Sequence, residues 1–332
     1  MSEQPPAPTE KTPPQSDLRA AVESTNKRRR TILLGVGAVA VVAVVVGVIA
    51  IVAGLASGGS AAEAAGSERY HLKIAVSQDK DFQTAVHEVA AEKGLDVEWV
   101  NVDDWVLPNT ELVAGNVDGN AFQHILYLSN FNAKNDQDLT PVFSTVITQW
   151  GIFSATLGST ADIPEGGRIA IPDDPSNGGR ALGILAAAGL ITLSGDAGDF
   201  PTVDDVTANP KNLQFVPIAA TTIPQQFDDP SLSAVVVGLS YFDPSQGITA
   251  DRALYLDDSL QEKNLPYVNV VASRADNADN PAWALLKEAY ADPRVAAALQ
   301  KEDKGATILV DVPVEKLRDK LADLQKAAAA NK

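Results

Sequence analysis

The feature that most constrains this chain is a long apolar run near its N-terminus. Residues 31–56 read TILLGVGAVAVVAVVVGVIAIVAGLA and contain no charged side chain. As a helix this run would be roughly 39 Å long at about 1.5 Å per residue, which exceeds the hydrocarbon core of a bilayer, about 30 Å thick. Helices buried in a protein core rarely run so far without a polar residue. The run therefore predicts a single transmembrane helix.

The flanks of this run predict its orientation. Four basic residues precede it directly, Lys27, Arg28, Arg29 and Arg30, whereas SGGSAAEAAGSE follows it. Basic residues remain on the cytoplasmic side of a membrane helix, so we expect a cytoplasmic N-terminus and an extracytoplasmic domain on the cell membrane. A cleaved signal peptide is the alternative, but its apolar region is usually only about 7–15 residues long. An uncleaved anchor is favoured.

Composition divides the rest of the chain. Residues 1–30 are rich in proline and polar side chains without an apolar period, which predicts a disordered cytoplasmic tail. Small residues predominate in 57–69, which predicts a linker. The chain has 332 residues, 45% of them hydrophobic and 21% charged, so the part beyond the linker is long enough for two domains.

Charge and cysteine content narrow the function. Residues 1–30 hold six Lys or Arg and four Asp or Glu, which gives them a net charge of +2, and residues 31–62 hold no charged side chain. Since the whole chain has a net charge of −17, the exported part has a net charge of −19. An acidic domain is a poor match for nucleic acid, which leaves small ligands and protein partners. The absence of cysteine excludes disulfides, thiolate catalysis and a lipid anchor attached through cysteine.

From Tyr70 onward the pattern becomes regular. HLKIAV (71–76) predicts a buried strand, DFQTAVHEVAAEKG (81–94) an amphipathic helix and DVEWVNV (96–102) an alternating strand. This order predicts a parallel sheet. His87 has no second ligand at helical spacing, so no metal site is predicted there.

A second unit of the same kind begins after residue 150. Together the two units predict two lobes joined by crossing segments. The predicted elements are strands at 168–172, 212–218, 232–239 and 267–274, helices at 180–190, 281–290 and 312–328, and a turn at 173–179.

The stretch IAIPDDPSNGGRALGIL places a glycine-containing turn between a strand and a helix. The helix N-terminus offers free backbone N–H groups to an anion, and Gly178 and Gly179 would let a ligand approach the backbone. Arg180 in the first turn is unfavourable beside the helix dipole and suits a carboxylate. Alternatively, Arg180 is a surface residue that pairs with Asp173 or Asp174. The phosphate-loop and dinucleotide motifs are both absent.

A second informative stretch is DGNAFQHILY, residues 118–127. A helix over these residues would put His124 and Tyr127 on one face, with Phe122 and Gln123 nearby. The three rings could line a pocket for a small amphiphilic ligand, or they could be core with a satisfied histidine. Trp105, which follows a strand, is a further candidate for a pocket wall.

Catalysis finds little support in the sequence. The chain has no GxSxG, no HExxH and no cysteine, and its acidic pairs fall in predicted turns. We therefore expect no enzyme, no cofactor and no metal.

Several segments together resemble the NlpA lipoprotein family, the substrate-binding proteins of methionine ABC importers. The segments that carry the resemblance are GNAFQHILYLSNFN, IAIPDDPSNGGRALGILAAAGLI, VTANPKNLQFVPI and LPYVNVVASRADNADNPAWALLKEAY. The resemblance covers residues 70–325. It implies an α/β, two-lobed periplasmic-binding-protein-like (type II) fold, here preceded by a single transmembrane helix. Lobe 1 would comprise residues 70–150 and 262–332, and lobe 2 residues 151–261.

The resemblance also implies a ligand site between the lobes. Phe122, His124 and Tyr127 would line the side-chain pocket, and Trp105 stands where the family commonly has tyrosine. Arg180 matches the arginine that holds the ligand carboxylate, and Asn177 lies in the same turn. The sequence departs from the family at Gly238, where asparagine is usual. Ser240, Tyr241 and Asn269 are the candidates to replace that asparagine in holding the ligand.

The implied function is delivery of methionine, or a related amino acid, to an ABC permease and its ATPase. The transmembrane helix would replace the lipidated cysteine of the family as the tether. A membrane-anchored sensing or scaffold protein with the same fold is the alternative, and Gly238 and Trp105 leave the identity of the ligand open.

Overall fold

Two β-sheets, each covered by helices, make up the computed structural model, which describes residues 17–23, 69–78, 80–102 and 104–330. The first sheet and its helices are called lobe 1 below, and the second sheet with its helix is called lobe 2. The chain passes from lobe 1 to lobe 2 at residues 148–150 and returns at residues 257–267.

Lobe 1 is built from both ends of the domain. Its six strands lie in the order β13-β4-β12-β3-β1-β2. The first part comprises β1 Tyr70–Val76, α2 Asp81–Glu92, β2 Leu95–Asn101, α3 Leu107–Val113, β3 Gly119–Asn120, α4 Ile125–Asn135 and β4 Thr140–Thr148. The second part comprises β12 Val268–Ser273, α6 Ala282–Tyr290, α7 Pro293–Asp303, β13 Thr307–Leu309 and α8 Val314–Ala330.

Lobe 2 uses the middle of the chain. Its five strands lie in the order β11-β5-β10-β6-β9, and β7 pairs with β8 in a separate ribbon. The elements are β5 Trp150–Phe153, β6 Arg168–Pro172, α5 Pro175–Ala187, β7 Thr192–Leu193, β8 Val206–Ala208, β9 Gln214–Ile218, β10 Ala234–Gly238 and β11 Ala253–Leu256. A 3-10 turn, Leu239–Tyr241, follows β10 directly.

The sequence predicts this α/β architecture well where apolar runs are strong. β1 and β2 are parallel with Tyr70 opposite Leu95, as the strand-helix-strand pattern predicts, and β6 occupies the predicted residues 168–172. The predicted helix over 118–127 is wrong for residues 118–124. Gly119 and Asn120 form β3, and the helix begins only at Ile125. A backbone that pairs with β1 on one side and β12 on the other cannot also be helical.

The sequence predicts no structure for residues 1–30, but residues 17–23 form a helix, α1. Leu18 is fully buried, Ala21 nearly so and Val22 partly, at helical spacing, and all three join the apolar cluster that includes Leu317 and Leu321 of α8. Asp17 pairs with Lys316, and Arg19 pairs with Asp258. A segment this short is marginal alone, so its helix depends on contact with lobe 1.

The predicted transmembrane segment, residues 31–56, lies outside the described residues, and so does most of the predicted linker, 57–69. Within the described ranges, no helix combines the length and the apolar character that a membrane crossing requires.

Candidate functional site

Residues from both lobes meet along the cleft between the two sheets. Lobe 1 contributes the loop after β2, the residues around the start of α4 and strand β12, and lobe 2 contributes the start of α5 and the turn after β10. Six of the residues singled out in the sequence line one small cavity there: Trp105, Phe122, His124, Tyr127, Asn177 and Asn269. Gln123 and Tyr241 complete its lining.

His124 connects the lobes in a defined tautomer. Its Nδ1 accepts a hydrogen bond from the backbone N–H of Tyr127 at 3.0 Å, which caps α4. Nε2 therefore carries the proton and donates to Oδ1 of Asn177 in lobe 2 at 3.1 Å. Burial lowers the pKa of His124 to about 3, and the nearby Arg180 cation adds to this, so the ring is neutral at physiological pH.

Arg180 is a buried cation that forms no ion pair with the described residues, although the negative charge of Asp257 acts to raise its pKa. Its side chain is 3% exposed and lies between two rings, 4.6 Å from the centroid of Trp150 and 4.2 Å from that of Tyr267. One Nη donates to the carbonyl of Thr148 at 3.1 Å, and Nε has no hydrogen-bond partner among the described residues. Burial lowers the pKa of Arg180 to about 10, which leaves it protonated at neutral pH.

The two aspartates before Arg180 do not neutralise it, contrary to the surface-residue alternative. Asp174 is the N-cap of α5 and accepts hydrogen bonds from the backbone N–H groups of Ser176 and Asn177. Its other oxygen accepts from Nδ2 of Asn177 at 3.0 Å, which turns the Asn177 carbonyl toward His124. Asp174 therefore orients Asn177 and leaves the charge of Arg180 available.

The predicted turn over 173–179 is wrong from Pro175 onward, because those residues belong to helix α5. Pro175 begins that helix, and the N–H groups predicted to hold an anion are already bonded to Asp174. A Cβ atom at Gly178 would lie 2.8 Å from the carbonyl oxygen of Pro172, and one at Gly179 would lie 3.0 Å from Pro201. The two glycines therefore let α5 pack against neighbouring backbone, and neither faces a ligand through its main chain.

Aromatic rings form the walls of the cavity. Tyr127 lies edge-to-face against Phe122 at 5.9 Å and against Trp105 at 6.2 Å, and its hydroxyl donates to the carbonyl of Trp105. Tyr241 approaches Trp105 from lobe 2, with 5.6 Å between ring centroids. Burial raises the pKa values of Tyr127 and Tyr241, so both hydroxyls remain neutral donors.

A buried amide network holds the lobe 1 side of the site in place. The Asn109 and Gln123 amides exchange two hydrogen bonds, at 2.8 and 2.6 Å, and Asn120 bonds to both side chains. The carbonyl of Gln123 accepts from the N–H of Val270, and His124 bridges to Asn269 on the same strand. Every amide of the network is satisfied, so the backbone that carries Phe122 and His124 is fixed.

The last two candidate residues lie differently. Asn269 lines the cavity from β12. Gly238 ends β10 and contributes no side chain, and the ring of Tyr241 occupies the space in front of it. Sequence reasoning missed Trp150 and Tyr267, which sandwich Arg180. Their only signal is position, because each aromatic residue stands where the chain crosses between the lobes.

Comparison with known proteins identifies the family. The family model described as NlpA lipoprotein matches residues 72–310. The chain belongs to the NlpA lipoprotein family. The match spans most of both lobes, and the matched residues include all of the cleft residues described above.

Similar proteins support this family assignment in both sequence and structure. The D-methionine-binding lipoprotein MetQ of Escherichia coli strain K12 is 34% identical over 241 residues, which cover 72% of this chain and 88% of MetQ. A nutrient-binding protein from Burkholderia cenocepacia bound to methionine is 31% identical with a TM-score of 0.65, covering 72% of this chain and 99% of that one.

A third relative is the substrate-binding protein of a methionine transporter from Streptococcus pneumoniae. It is 26% identical with a TM-score of 0.65, and the alignment covers 72% of this chain and 95% of that protein. The chain therefore has the α/β substrate-binding-protein fold of these relatives. The uncovered part of this chain includes its N-terminal residues, since the family match begins at residue 72.

Proposed function

We propose that this protein is the substrate-binding protein of an ABC importer and binds methionine, or a close amino-acid analogue, between its lobes. The observation that carries the proposal is Arg180, a buried cation at the lobe interface without a carboxylate partner in the described part of the chain. Burying an unpaired charge is costly, so a residue of this kind requires an anionic ligand. An amino acid supplies the carboxylate.

The remaining groups suit the rest of a methionine molecule. Trp105, Phe122 and Tyr127 provide an apolar wall for a thioether chain, and sulfur packs favourably against aromatic rings. Neutral His124 and Asn177 lie at its polar edge, joined across the lobes by their hydrogen bond. Asn269, which lines the cavity from lobe 1, offers a side-chain amide to the ligand.

Binding is coupled to lobe closure in this proposal. Arg180 and Asn177 belong to lobe 2, whereas Tyr267 and His124 belong to lobe 1, so the site is complete only when the lobes meet. A ligand that contacts both lobes stabilises the closed arrangement, which is the form that a permease would recognise. The mechanism is affinity and closure, and no reaction is catalysed.

We also propose that residues 31–56 anchor the protein in the cell membrane, with the binding domain outside and an ABC permease and its ATPase as partners. The support is the uncharged run and the basic residues before it. This tether would replace the lipid anchor that the name of the family implies.

Calorimetric titration of the full chain with L- and D-methionine tests the proposal. The protein should first be dialysed extensively, so that bound ligand is removed. We expect wild type to bind, and Arg180→Met to lose about 1.5–3 kcal/mol or more of binding free energy, because a charge-assisted hydrogen bond disappears while most of the stack remains. The thermal stability of the empty variant should stay close to that of wild type.

Arg168→Ala is the matched control. Arg168 is exposed and bonds to Ser231, so its loss should leave the affinity for methionine unchanged. Equal affinity of Arg180→Met and wild type would refute the carboxylate role of Arg180. Failure of wild type to bind either enantiomer would refute methionine as the ligand.

A further inference from the structure

Glycine at position 238 is required by its surroundings and not by its backbone. Its φ of −67° and ψ of 135° are accessible to any residue. A Cβ atom there would lie 2.7 Å from Cε2 of Tyr241 and 2.8 Å from Nε1 of Trp150. Trp150 is almost fully buried and cannot move aside. The absence of a side chain at 238 is therefore what admits the ring of Tyr241.

The Tyr241 ring lies between the lobes. It packs edge-to-face on Trp150 of its own lobe, with centroids 5.9 Å apart. On its other side it meets Trp105 of lobe 1 at 5.6 Å and an interplanar angle of 40°. The ring thus continues the aromatic wall of lobe 1 into lobe 2.

Two adjacent cavities share this wall and are called the inner and the outer cavity below. The inner one, about 20 Å³, is the cavity that contains His124 and Asn177. The outer one, about 120 Å³, is lined by apolar residues together with polar groups that include Gln78, Lys80, Asp303 and Thr307. Both cavities share four lining residues: Trp105, Phe122, Tyr241 and Asn269. Of these four, only Tyr241 comes from lobe 2.

We propose that Tyr241, seated against Gly238, is the residue that limits the ligand to a single free amino acid. The ring closes the inner cavity against the outer cavity and so excludes ligands that extend beyond it. This inference rests on the proposed function, which places the ligand carboxylate at Arg180. The end of the ligand that is free to extend is then the amino group, and the polar groups of the outer cavity suit a peptide-like extension there.

The test compares the affinity of the full chain for L-methionine and for glycyl-L-methionine, which extends the amino end by one residue. We expect wild type to prefer L-methionine by about tenfold or more. Tyr241→Ala should reduce this preference about tenfold, because the two cavities merge. Gly238→Ala should reduce it in the same direction, because the new Cβ displaces the ring.

Two controls separate the ring from other effects. Tyr241→Phe keeps the ring and should keep the preference of wild type. Gly183→Ala adds a Cβ that meets nothing within 4 Å, so it should change neither ligand's affinity. If Gly238→Ala fails to fold, the comparison of Tyr241→Ala with Tyr241→Phe still decides the matter.

The outcomes are distinguishable from those of the proposed function. An unchanged preference in Tyr241→Ala would overturn the role of the ring, and so would equal binding of the two ligands by wild type. In both cases methionine binding itself would stand. If wild type binds neither compound, the proposed function fails and the role assigned to Tyr241 fails with it.

Discussion

At the scale of single residues, the cleft holds two basic side chains in opposite charge states. Arg180 keeps its charge although it is buried, since two rings and one carbonyl provide its contacts. His124 is neutral because burial lowers its pKa, and its two nitrogens are hydrogen-bonded to Asn177 and the Tyr127 backbone. A second cation beside Arg180 would be unfavourable, which is part of the reason that the pKa of His124 is lowered.

The lowered pKa predicts a pH dependence of stability. The folded protein takes up a proton on His124 near pH 3, whereas the unfolded chain does so near its ordinary value of 6.5. The contribution of neutral His124 to the stability of the fold is therefore fully present above about pH 6.5, and it is lost as the pH drops toward 3. His124 alone should cost about 2 kcal/mol between pH 7 and pH 5.

Urea unfolding of wild type and His124→Gln at a series of pH values measures this effect. The glutamine variant should lose less stability on acidification, because it has no imidazole to protonate in the unfolded chain. Since other groups contribute equally to both proteins, the difference between the two curves isolates His124. Parallel curves would show that its ring is not buried in the neutral form.

At the scale of elements, α5 illustrates how one residue can serve both the fold and the site. Asp174 caps the helix through two backbone N–H groups and orients Asn177 through a third hydrogen bond. Burial raises the pKa of Asp174, while the hydrogen bonds from Asn177 and Ser176 oppose that rise. Asp174 therefore both caps α5 and holds the Asn177 side chain in the orientation that contacts His124.

Replacing this cap should affect both stability and binding. Asp174→Ala is expected to destabilise the protein by about 0.5–2 kcal/mol through the lost cap. It should also weaken methionine binding by about 0.5–1.5 kcal/mol, because the orientation of Asn177 is lost. Thermal unfolding and calorimetry measure the two quantities separately.

Asp292→Ala is a matched control on lobe 1. Asp292 caps α7 by accepting from the N–H of Arg294, away from the residues that line the inner cavity. Its loss should lower stability while affinity stays at the wild-type value. Similar losses of affinity in both variants would mean that Asp174 acts through general stability alone.

At the scale of the whole molecule, α1 and the proposed anchor require different arrangements. Residues 17–23 pack on lobe 1, with Leu18 buried against the cluster that includes α8. A membrane helix at 31–56 would place residues 17–23 on the opposite side of the bilayer from lobe 1. The contact of α1 with lobe 1 can therefore form only when residues 31–56 do not span the membrane.

Cysteine labelling in intact cells distinguishes the two arrangements, and the natural sequence has no cysteine to interfere. Ala20 of α1 and Ala284 of α6 are both exposed in the structure, so Ala20→Cys and Ala284→Cys are matched reporters. With an inserted anchor, an impermeant maleimide should label position 284 in intact cells and position 20 only after lysis. Labelling of both position 20 and position 284 in intact cells would refute the proposed orientation. It would be consistent with the contact between α1 and lobe 1.

Much of the fold could be read from local pattern. Apolar runs and strand-helix-strand spacing predicted β1, α2 and β2 and the parallel pairing between β1 and β2, because side-chain period follows from backbone geometry. The same reasoning failed at Gly119 and Asn120, where pairing with two neighbouring strands overrode the helical spacing. It failed again at 175–179, where α5 begins directly after its Asp174 cap and includes predicted turn residues.

The sequence by itself determined the α/β class, the acidic and cysteine-free character of the chain, and the residue types that a small ligand would need. The tertiary structure alone decided that Arg180 forms no ion pair within the described part of the chain, that Asn177 faces His124, and that Gly238 makes room for Tyr241. The reason is physical. Local patterns arise from the periodicity of one segment, whereas pairing, burial and the occupation of space depend on segments that meet only after the chain has crossed between the lobes.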